Sequence, residues 1–288
     1  MNDAGIEPIR VSDHITWFYW GRHPDHENMD MRLGGGAHAI HDGDEALLVD
    51  TMNLPGQAAW VRRYLHEALG IRTLRVVNTH WHPDHVAGNA CFADVPIIAH
   101  RATRELMLSH RGGLEAGIWP GCPPIQVEAP TVVFEERMDL QVGGLAVVLR
   151  EFAIHERGHL AVHLPDERAL IVGDMLEDPI WIFHLDFAGP ELQLAEYARM
   201  AGLGATRVLA THCAPAIVRR GGYDLRFIEN NADYLRRMLA DVDDPDFPTR
   251  PAPHYIGPAL AAGELEWWEP YAEVHALNQQ TLLDRASP

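Results

Sequence analysis

The feature that most constrains this chain is a dense group of metal-binding residue types directly after a short apolar run. Leu74 to Val77 has the pattern of a buried strand, and four ligand-type residues follow within a few positions, namely His80, His82, Asp84 and His85. Neutral imidazole and carboxylate are the usual ligands of zinc-like cations. A polar surface loop gives no packing reason for this density behind an apolar strand. The segment therefore predicts a metal site at the carboxyl end of that strand.

The spacing within this segment favours two cations over one. His80 and His82 stand two positions apart, so both rings can converge on one point from a loop. Asp84 and His85 follow the turn set by Pro83 and are better placed for a second cation ~3.5–4 Å away, as in two-metal hydrolases. We therefore expect two Zn²⁺ as the cofactor, with iron or manganese as alternatives.

The segment His80-Trp81-His82-Pro83-Asp84-His85 resembles the signature of the metallo-β-lactamase superfamily, in its glyoxalase II or lactonase-like branch. Leu48-Val49-Asp50-Thr51 resembles an early strand of that family, which ends in an aspartate that supports the metal loop. The resemblance covers roughly residues 34–215. It implies an α/β fold, a four-layer αββα sandwich, which agrees with the alternation of short apolar strands and helices along the chain.

The resemblance also implies a histidine ligand just before a strand in the second half of the chain. His155 fits that place best, although Ile154 and Glu156 stand where glycine and threonine are usual. His159 is the competing assignment. His163 lies inside the strand and is expected to pack rather than to bind a cation.

Two more ligands are implied near the ends of later strands. Gly173-Asp174 matches a strand-ending Gly-Asp, which makes Asp174 the carboxylate between both cations. His212 follows the strand predicted over Arg207 to Ala210 and takes the last position, although the usual flanking glycines are absent. Its neighbour Cys213 is not expected to bind a cation.

The resemblance assigns a role to each of these residues. One cation would be held by His80, His82 and His155, the other by Asp84, His85 and His212, with Asp174 between them. A metal-bound hydroxide would attack a carbonyl, and Asp84 would orient it and carry its proton as the catalytic residue. Asp50 is expected to hydrogen-bond a ligand histidine and fix its tautomer.

These features predict a dinuclear metal-dependent hydrolase that cleaves a small ester, thioester or lactone. Two alternatives stay open: a β-lactam hydrolase, and a mononuclear iron oxidoreductase of the persulfide dioxygenase kind, which shares the fold. An aspartate at the position of Asp174 resembles the bridging aspartate of the thioesterase and lactonase branches, which the β-lactamase branches usually lack. The tyrosine that lactonases tend to carry after the Gly-Asp is missing, and Glu177 and Asp178 occupy that stretch.

The charge and cysteine content of the chain indicate which partners and which location to expect. The chain has 23 basic residues, all arginine, against 41 acidic ones, for a net charge of −18. Such a surface repels phosphate groups, so we expect a small-molecule substrate and neither nucleic acid nor membrane as a partner. Three cysteines and an N-terminus without a secretory pattern predict a cytoplasmic location.

The organisation predicted is a metallo-β-lactamase-like domain over residues 1–221 and a C-terminal helical appendage over residues 222–288. In the appendage we expect helices over Tyr223 to Leu239 and Ala259 to Leu283, joined by a connector over Asp241 to Pro258. Trp267 and Trp268 are expected to contact the sandwich or a second subunit of a homodimer.

Two segments of the first domain are predicted to line the substrate site. The Gly/Pro-rich segment His110 to Pro130 is predicted to be a long loop. Together with the Trp181, Phe183 and His184 stretch, it is expected to form the wall of the substrate cleft.

Overall fold

The structure is a computed structural model that describes residues 4–23, 25–26, 29–119, 122–178 and 189–286. Within these ranges the chain has a mixed α/β fold. The strands are β1 (Ile6–Arg10), β2 (Ile15–Trp20), β3 (Gly35–Asp42), β4 (Glu45–Val49), β5 (Thr73–Val77), β6 (Ile97–His100), β7 (Val132–Phe134), β8 (Arg137–Val142), β9 (Leu145–Glu151), β10 (Leu160–Leu164), β11 (Ala169–Ile171) and β12 (Arg207–Leu209).

Helices separate and follow these strands. The α-helices are α1 (Met29–Leu33), α2 (Pro55–Glu67), α3 (Pro83–Val86), α4 (Arg101–Ser109), α5 (Arg111–Ala116), α6 (Pro190–Ala201), α7 (Pro215–Val218), α8 (Arg226–Asp241), α9 (Ala252–Ala261) and α10 (Tyr271–Ala286). Two short 3-10 helices lie at Asn89–Phe92 and Phe247–Thr249. None of the helices in the described ranges is long and apolar enough to cross a membrane.

The strands form two sheets. The first has seven strands in the order β1-β2-β3-β4-β5-β6-β7, antiparallel from β1 to β4 and parallel from β4 to β7. The second has five strands in the order β12-β11-β10-β9-β8, antiparallel except for the parallel pair β11 and β12. Each sheet therefore contains a parallel pair whose strands end at the same edge.

Strand β4 shows how the layers form. Leu47 and Val49 belong to the core cluster that includes the second sheet, whereas Ala46 and Leu48 belong to a separate cluster with helix α2. Side chains alternate between the two faces of a strand, so one face packs on the other sheet and one on a helix. Helices α6 and α8 add their apolar faces to the cluster of the second sheet. This arrangement confirms the predicted αββα sandwich.

The C-terminal helices are present as predicted and share the core of the sandwich. Phe247, Tyr255 and Leu282 are buried in the same cluster as the second sheet. A smaller cluster joins Leu33 to Tyr271 and Val274 of α10, with Trp267 and Trp268 packed against it. The two tryptophans therefore contact the sandwich of their own chain.

Several predicted boundaries were wrong. The segment His110 to Pro130 contains helix α5, and the connector Asp241 to Pro258 contains the start of α9. The helix predicted over Ala259 to Leu283 is interrupted between Ala261 and Tyr271. Trp181, Phe183 and His184 lie outside the described residues.

The segment His80 to Asn89, the metal loop, packs closely against helix α2, and Gly88 makes this possible. A Cβ atom at Gly88 would lie 2.1 Å from the Ala58 Cβ and 2.3 Å from the Thr51 carbonyl oxygen. Overpacking of this kind costs about 1–3 kcal/mol. We expect Gly88→Ala to lower the free energy of unfolding by about that amount, measured by urea titration with a chelator present.

Gly56→Ala is the matched control, because a Cβ at Gly56 in α2 would meet no atom within 4 Å. Alanine also favours a helix more than glycine does. The Gly56→Ala protein should be no less stable than wild type. Equal midpoints for the Gly88→Ala protein and wild type would contradict the tight contact.

Candidate metal centre

The two parallel strand pairs bring the predicted residues to one edge of the sandwich. In the first sheet, Asp50 follows β4 and the segment from His80 follows β5. In the second sheet, Asp174 follows β11 and His212 follows β12. Because parallel neighbours end at the same edge, each sheet contributes an aspartate and a histidine to a common place.

Seven side chains meet there in two groups that could hold a metal ion. In each group, one ligand atom per residue lies within 4.8 Å of all the others. The first ligand group is His80, His82, His155 and Asp174; the second ligand group is Asp84, His85, Asp174 and His212. These are the seven residues that the sequence predicted as metal ligands. His82 is half-buried and the others are buried.

Asp174 belongs to both ligand groups, and one of its oxygens lies near histidines of each. Its Oδ2 atom lies 2.9 Å from His85 Nε2, 3.4 Å from His212 Nε2 and 3.7 Å from His80 Nε2. Asp84 also lies against the second group: its Oδ2 is 3.3 Å from His85 Nε2 and 3.2 Å from His212 Nε2.

Asp50 orients two of the histidines from behind. Its Oδ1 accepts the Thr79 backbone N–H at 2.8 Å, and its Oδ2 accepts the Thr79 hydroxyl at 2.8 Å. The same Oδ2 lies 2.9 Å from His85 Nδ1, and Thr79 Oγ1 lies 3.1 Å from His80 Nδ1. Both imidazoles therefore have Nδ1 engaged on the Asp50 side and Nε2 directed to the ligand groups, as predicted for Asp50.

Two of these residues adopt a backbone conformation that non-glycine residues rarely take. The φ angle is +62° at Asp50 and +67° at His155. Such strain of roughly 1–3 kcal/mol persists where the surrounding structure requires it, and it concentrates at functional sites. Here it aims the Asp50 carboxylate and the His155 ring at the same edge.

Charge is strongly coupled in the second ligand group. Burial disfavours a charge on His85, but the carboxylates of Asp174, Asp84 and Asp50 outweigh it and raise the His85 pKa well above its ordinary value. Burial likewise opposes ionisation of Asp174, yet His85 and His212 hold its pKa well below the usual range. Without a cation, these carboxylates depend on protonated histidines.

The donor set fits one or more cations. In the described part of the chain, His80 Nε2 and Asp174 Oδ1 are buried and have no hydrogen-bond partner. Burial lowers the His80 pKa well below its ordinary value, which keeps a lone pair available. A neutral imidazole nitrogen and a carboxylate oxygen, both buried and without a hydrogen-bond partner among the described residues, suit a metal ion.

The other residues that the sequence offered as possible ligands, His159, His163 and Cys213, lie outside both ligand groups. The His159 ring stacks on His80, with centroids 4.3 Å apart and planes inclined by 17°. Cys213 directs its thiol to the Ala210 carbonyl oxygen at 3.1 Å. His163 lies within β10, as predicted.

Residues C-terminal to the last ligand contact Glu177 and Asp178, which follow Asp174, and the local sequence pattern did not reveal these contacts. Tyr271 donates its hydroxyl to Glu177 Oε2 at 3.0 Å. Tyr223 donates its hydroxyl to Asp178 Oδ2 and accepts the Ala214 backbone N–H. The loop that follows Asp174 and the loop that carries His212 are therefore joined through Tyr223.

The two-sheet sandwich with two adjoining His/Asp groups at one edge places this chain in the class of α/β proteins that bind metal ions between two sheets. The model of the metallo-β-lactamase superfamily matches residues 34–212, more than half of the chain. The chain belongs to this superfamily, whose members are generally hydrolytic enzymes.

Solved structures confirm the fold. A metallo-β-lactamase from Pontibacter korlensis superposes with a TM-score of 0.63 at 16% identity, covering 80% of this chain and 99% of the other. A metallo-β-lactamase from Hirschia baltica superposes with a TM-score of 0.59 at 18% identity, covering 80% and 97%. At these identities the likeness shows the fold alone.

A curated relative shares part of the sequence. A hydroxyacylglutathione hydrolase from Hyphomonas neptunium is 33% identical over 97 residues. The match covers 34% of this chain and 31% of the relative, so this chain matches less than a third of that protein's length.

Ligand assignment can be tested by alanine variants. We expect His155→Ala and His212→Ala to lose bound metal, because each removes a member of a ligand group. His159→Ala and His163→Ala should lose much less, since neither belongs to a group and an outer-shell change costs ~10–100-fold in affinity. Elemental analysis of protein purified without chelator measures this. Loss of metal from His159→Ala with retention by His155→Ala would show that the two histidines are wrongly assigned.

Asp178 should make stability depend on pH. Burial raises the Asp178 pKa to about 7, although the Tyr223 hydroxyl lowers it in part. The folded protein then keeps a proton that the unfolded chain releases near pH ~4, so stability falls as pH rises between these values. Asp178→Asn removes this dependence. Its stability relative to wild type should therefore rise as pH increases from ~5 to ~7 and stay constant from ~7 to ~8.

Thermal unfolding of both proteins across this pH range measures the effect. Asp233→Asn, which changes an exposed carboxylate on α8, serves as the control and should show no such trend. A stability difference between Asp178→Asn and wild type that does not change with pH would contradict a protonated Asp178.

Proposed function

We propose that the protein is a dinuclear metal-dependent hydrolase that cleaves a small ester, thioester or lactone. The observation that carries the proposal is the position of Asp174 Oδ2, within 3.7 Å of histidines from both ligand groups. A carboxylate oxygen shared in this way suits a pair of cations a few ångströms apart, which is the arrangement of two-metal hydrolases.

Each ligand group would bind one cation of such a pair. His80, His82 and His155 would hold one cation, and Asp84, His85 and His212 the other, with Asp174 between them. Zinc suits this mixture of imidazole and carboxylate, and iron or manganese are the alternatives. Two cations supply Lewis-acid activation of water and of a substrate carbonyl near neutral pH.

Asp84 would be the residue that handles the proton. It is buried, and its Oδ2 faces both His85 and His212. The interactions with His85 and His212 hold the Asp84 pKa far below the usual range against the effect of burial. An ionised carboxylate at this place can accept a proton from the attacking water and return it to the leaving group.

Two observations favour an acyl substrate over a β-lactam. The carboxylate between the ligand groups resembles that of the thioesterase and lactonase branches. The curated relative is named for a hydroxyacylglutathione, an acyl compound, rather than for a lactam. The net charge of −18 also favours a small molecule over nucleic acid as the substrate.

Metal content and kinetics together test the proposal. We expect two transition-metal ions per chain, and activity on a panel of small esters, acyl thioesters and lactones that disappears with chelator and returns with Zn²⁺. The same panel includes nitrocefin and a persulfide. Efficient nitrocefin turnover without activity on the acyl substrates would contradict the proposed substrate class. A single iron per chain with oxygen consumption on the persulfide would instead support the dioxygenase alternative.

A further inference from the structure

The metal loop contains three histidines, and in each the ring nitrogen that faces away from the ligand group can be fixed by a neighbouring side chain. Asp50 does this for two of them. His85 contacts Asp50 directly, and His80 contacts it through Thr79. His82 points the other way: its Nδ1 lies 3.3 Å from His155 Nε2, on the side of the first ligand group. Its Nε2, on the opposite side of the ring, lies 3.8 Å from Glu156 Oε2.

Glu156 is built into the wall beside His82. Its side chain is buried, and its Oε1 accepts the backbone N–H of Arg157 at 2.7 Å. Its Oε2 accepts the indole N–H of Trp81 at 3.0 Å. A buried carboxylate is costly unless its oxygens are hydrogen-bonded, and these two donors meet that need while leaving Oε2 next to His82.

Trp81 is itself held in place. Its ring stacks on His110, with centroids 4.0 Å apart and planes inclined by 14°. It also packs in an apolar cluster with Met107, Leu114 and Ile125. The helices α4 and α5 thus fix the indole, the indole fixes Glu156, and Glu156 faces the outer nitrogen of His82.

We propose that Glu156, held by Trp81, is the positioning residue for His82, in the role that Asp50 has for His80 and His85. This inference rests on the metal site of the proposed function. At 3.8 Å the Glu156 carboxylate is beyond hydrogen-bond distance of His82 Nε2, so it acts through its charge, which favours the tautomer of His82 with its proton on Nε2 and a lone pair on Nδ1. Its negative charge also favours a cation in the first ligand group.

Glu156→Gln tests the proposal with little change in shape. The amide oxygen can accept from only one of the two donors, the Trp81 indole or the Arg157 backbone N–H, and the negative charge is lost. We expect the affinity of the first ligand group for Zn²⁺ to fall by ~10-fold or more, as for other outer-shell partners. The second ligand group should keep its affinity, because Glu156 lies against His82, whereas the ion pairs of the second group join Asp84 and Asp174 to His85 and His212.

Zn²⁺ titration in competition with a chelating dye separates the two affinities, and Co²⁺ absorption reports the geometry of the first ligand group. Glu135→Gln is the matched control, because this exposed carboxylate pairs with Arg101 on the surface. Trp81→Phe keeps an aromatic ring but removes the indole donor, and it should weaken the same affinity in the same direction.

The outcomes are distinct. Selective weakening of one of two Zn²⁺ affinities in Glu156→Gln, with a changed Co²⁺ spectrum and an unchanged Glu135→Gln protein, supports the proposal. Two Zn²⁺ bound by wild type and Glu156→Gln with equal affinities and spectra overturn this inference alone. A wild-type protein that binds no Zn²⁺ overturns the proposed function and this inference with it.

Discussion

The carboxylate of Asp50 is the fixed point on which the metal loop depends. It is buried at the end of β4 in a left-handed conformation, and its backbone N–H is bonded to the Val77 carbonyl oxygen of β5 at 2.8 Å. Two oxygens then fix the Thr79 backbone, the Thr79 hydroxyl and His85. One side chain therefore joins two neighbouring strands and sets the direction of two imidazoles, so the geometry of the loop follows from the sheet rather than from the loop itself.

The second sheet repeats the first in outline. Ala46 to Met52 and Ala169 to Met175 are similar in sequence, and each runs from a strand into an acidic turn beside a parallel neighbour. The aspartates of these turns have diverged in role: Asp50 lies behind the histidines, whereas Asp174 lies between them. A site at the meeting edge of two such sheets can place ligands on opposite sides of a point, which one loop cannot do alone.

The local sequence pattern predicted the short apolar strands, and it missed strands in which polar residues or glycines are mixed with apolar ones. Strand β8 carries charged residues on its exposed face at a sheet edge, and β3 begins with two glycines, so both lack a strong strand signal. The metal loop was predictable because its ligands are adjacent in sequence. The contact of Trp81 with Glu156, and that of Tyr223 with Asp178, join residues that are far apart in the chain. Only the fold brings such pairs together, so no local pattern could reveal them.

The balance of buried charge explains why this edge suits cations. Asp50, Asp84 and Asp174 are all buried, and in the part of the chain that the structure describes their ion pairs involve histidines and no arginine. Buried carboxylates are costly unless they are paired, and protonated histidines compensate them only where a proton is available. Bound cations would replace those protons and satisfy the buried imidazole nitrogens at once. Because they would bind the folded chain and not the unfolded one, part of the binding free energy would become stability of this edge.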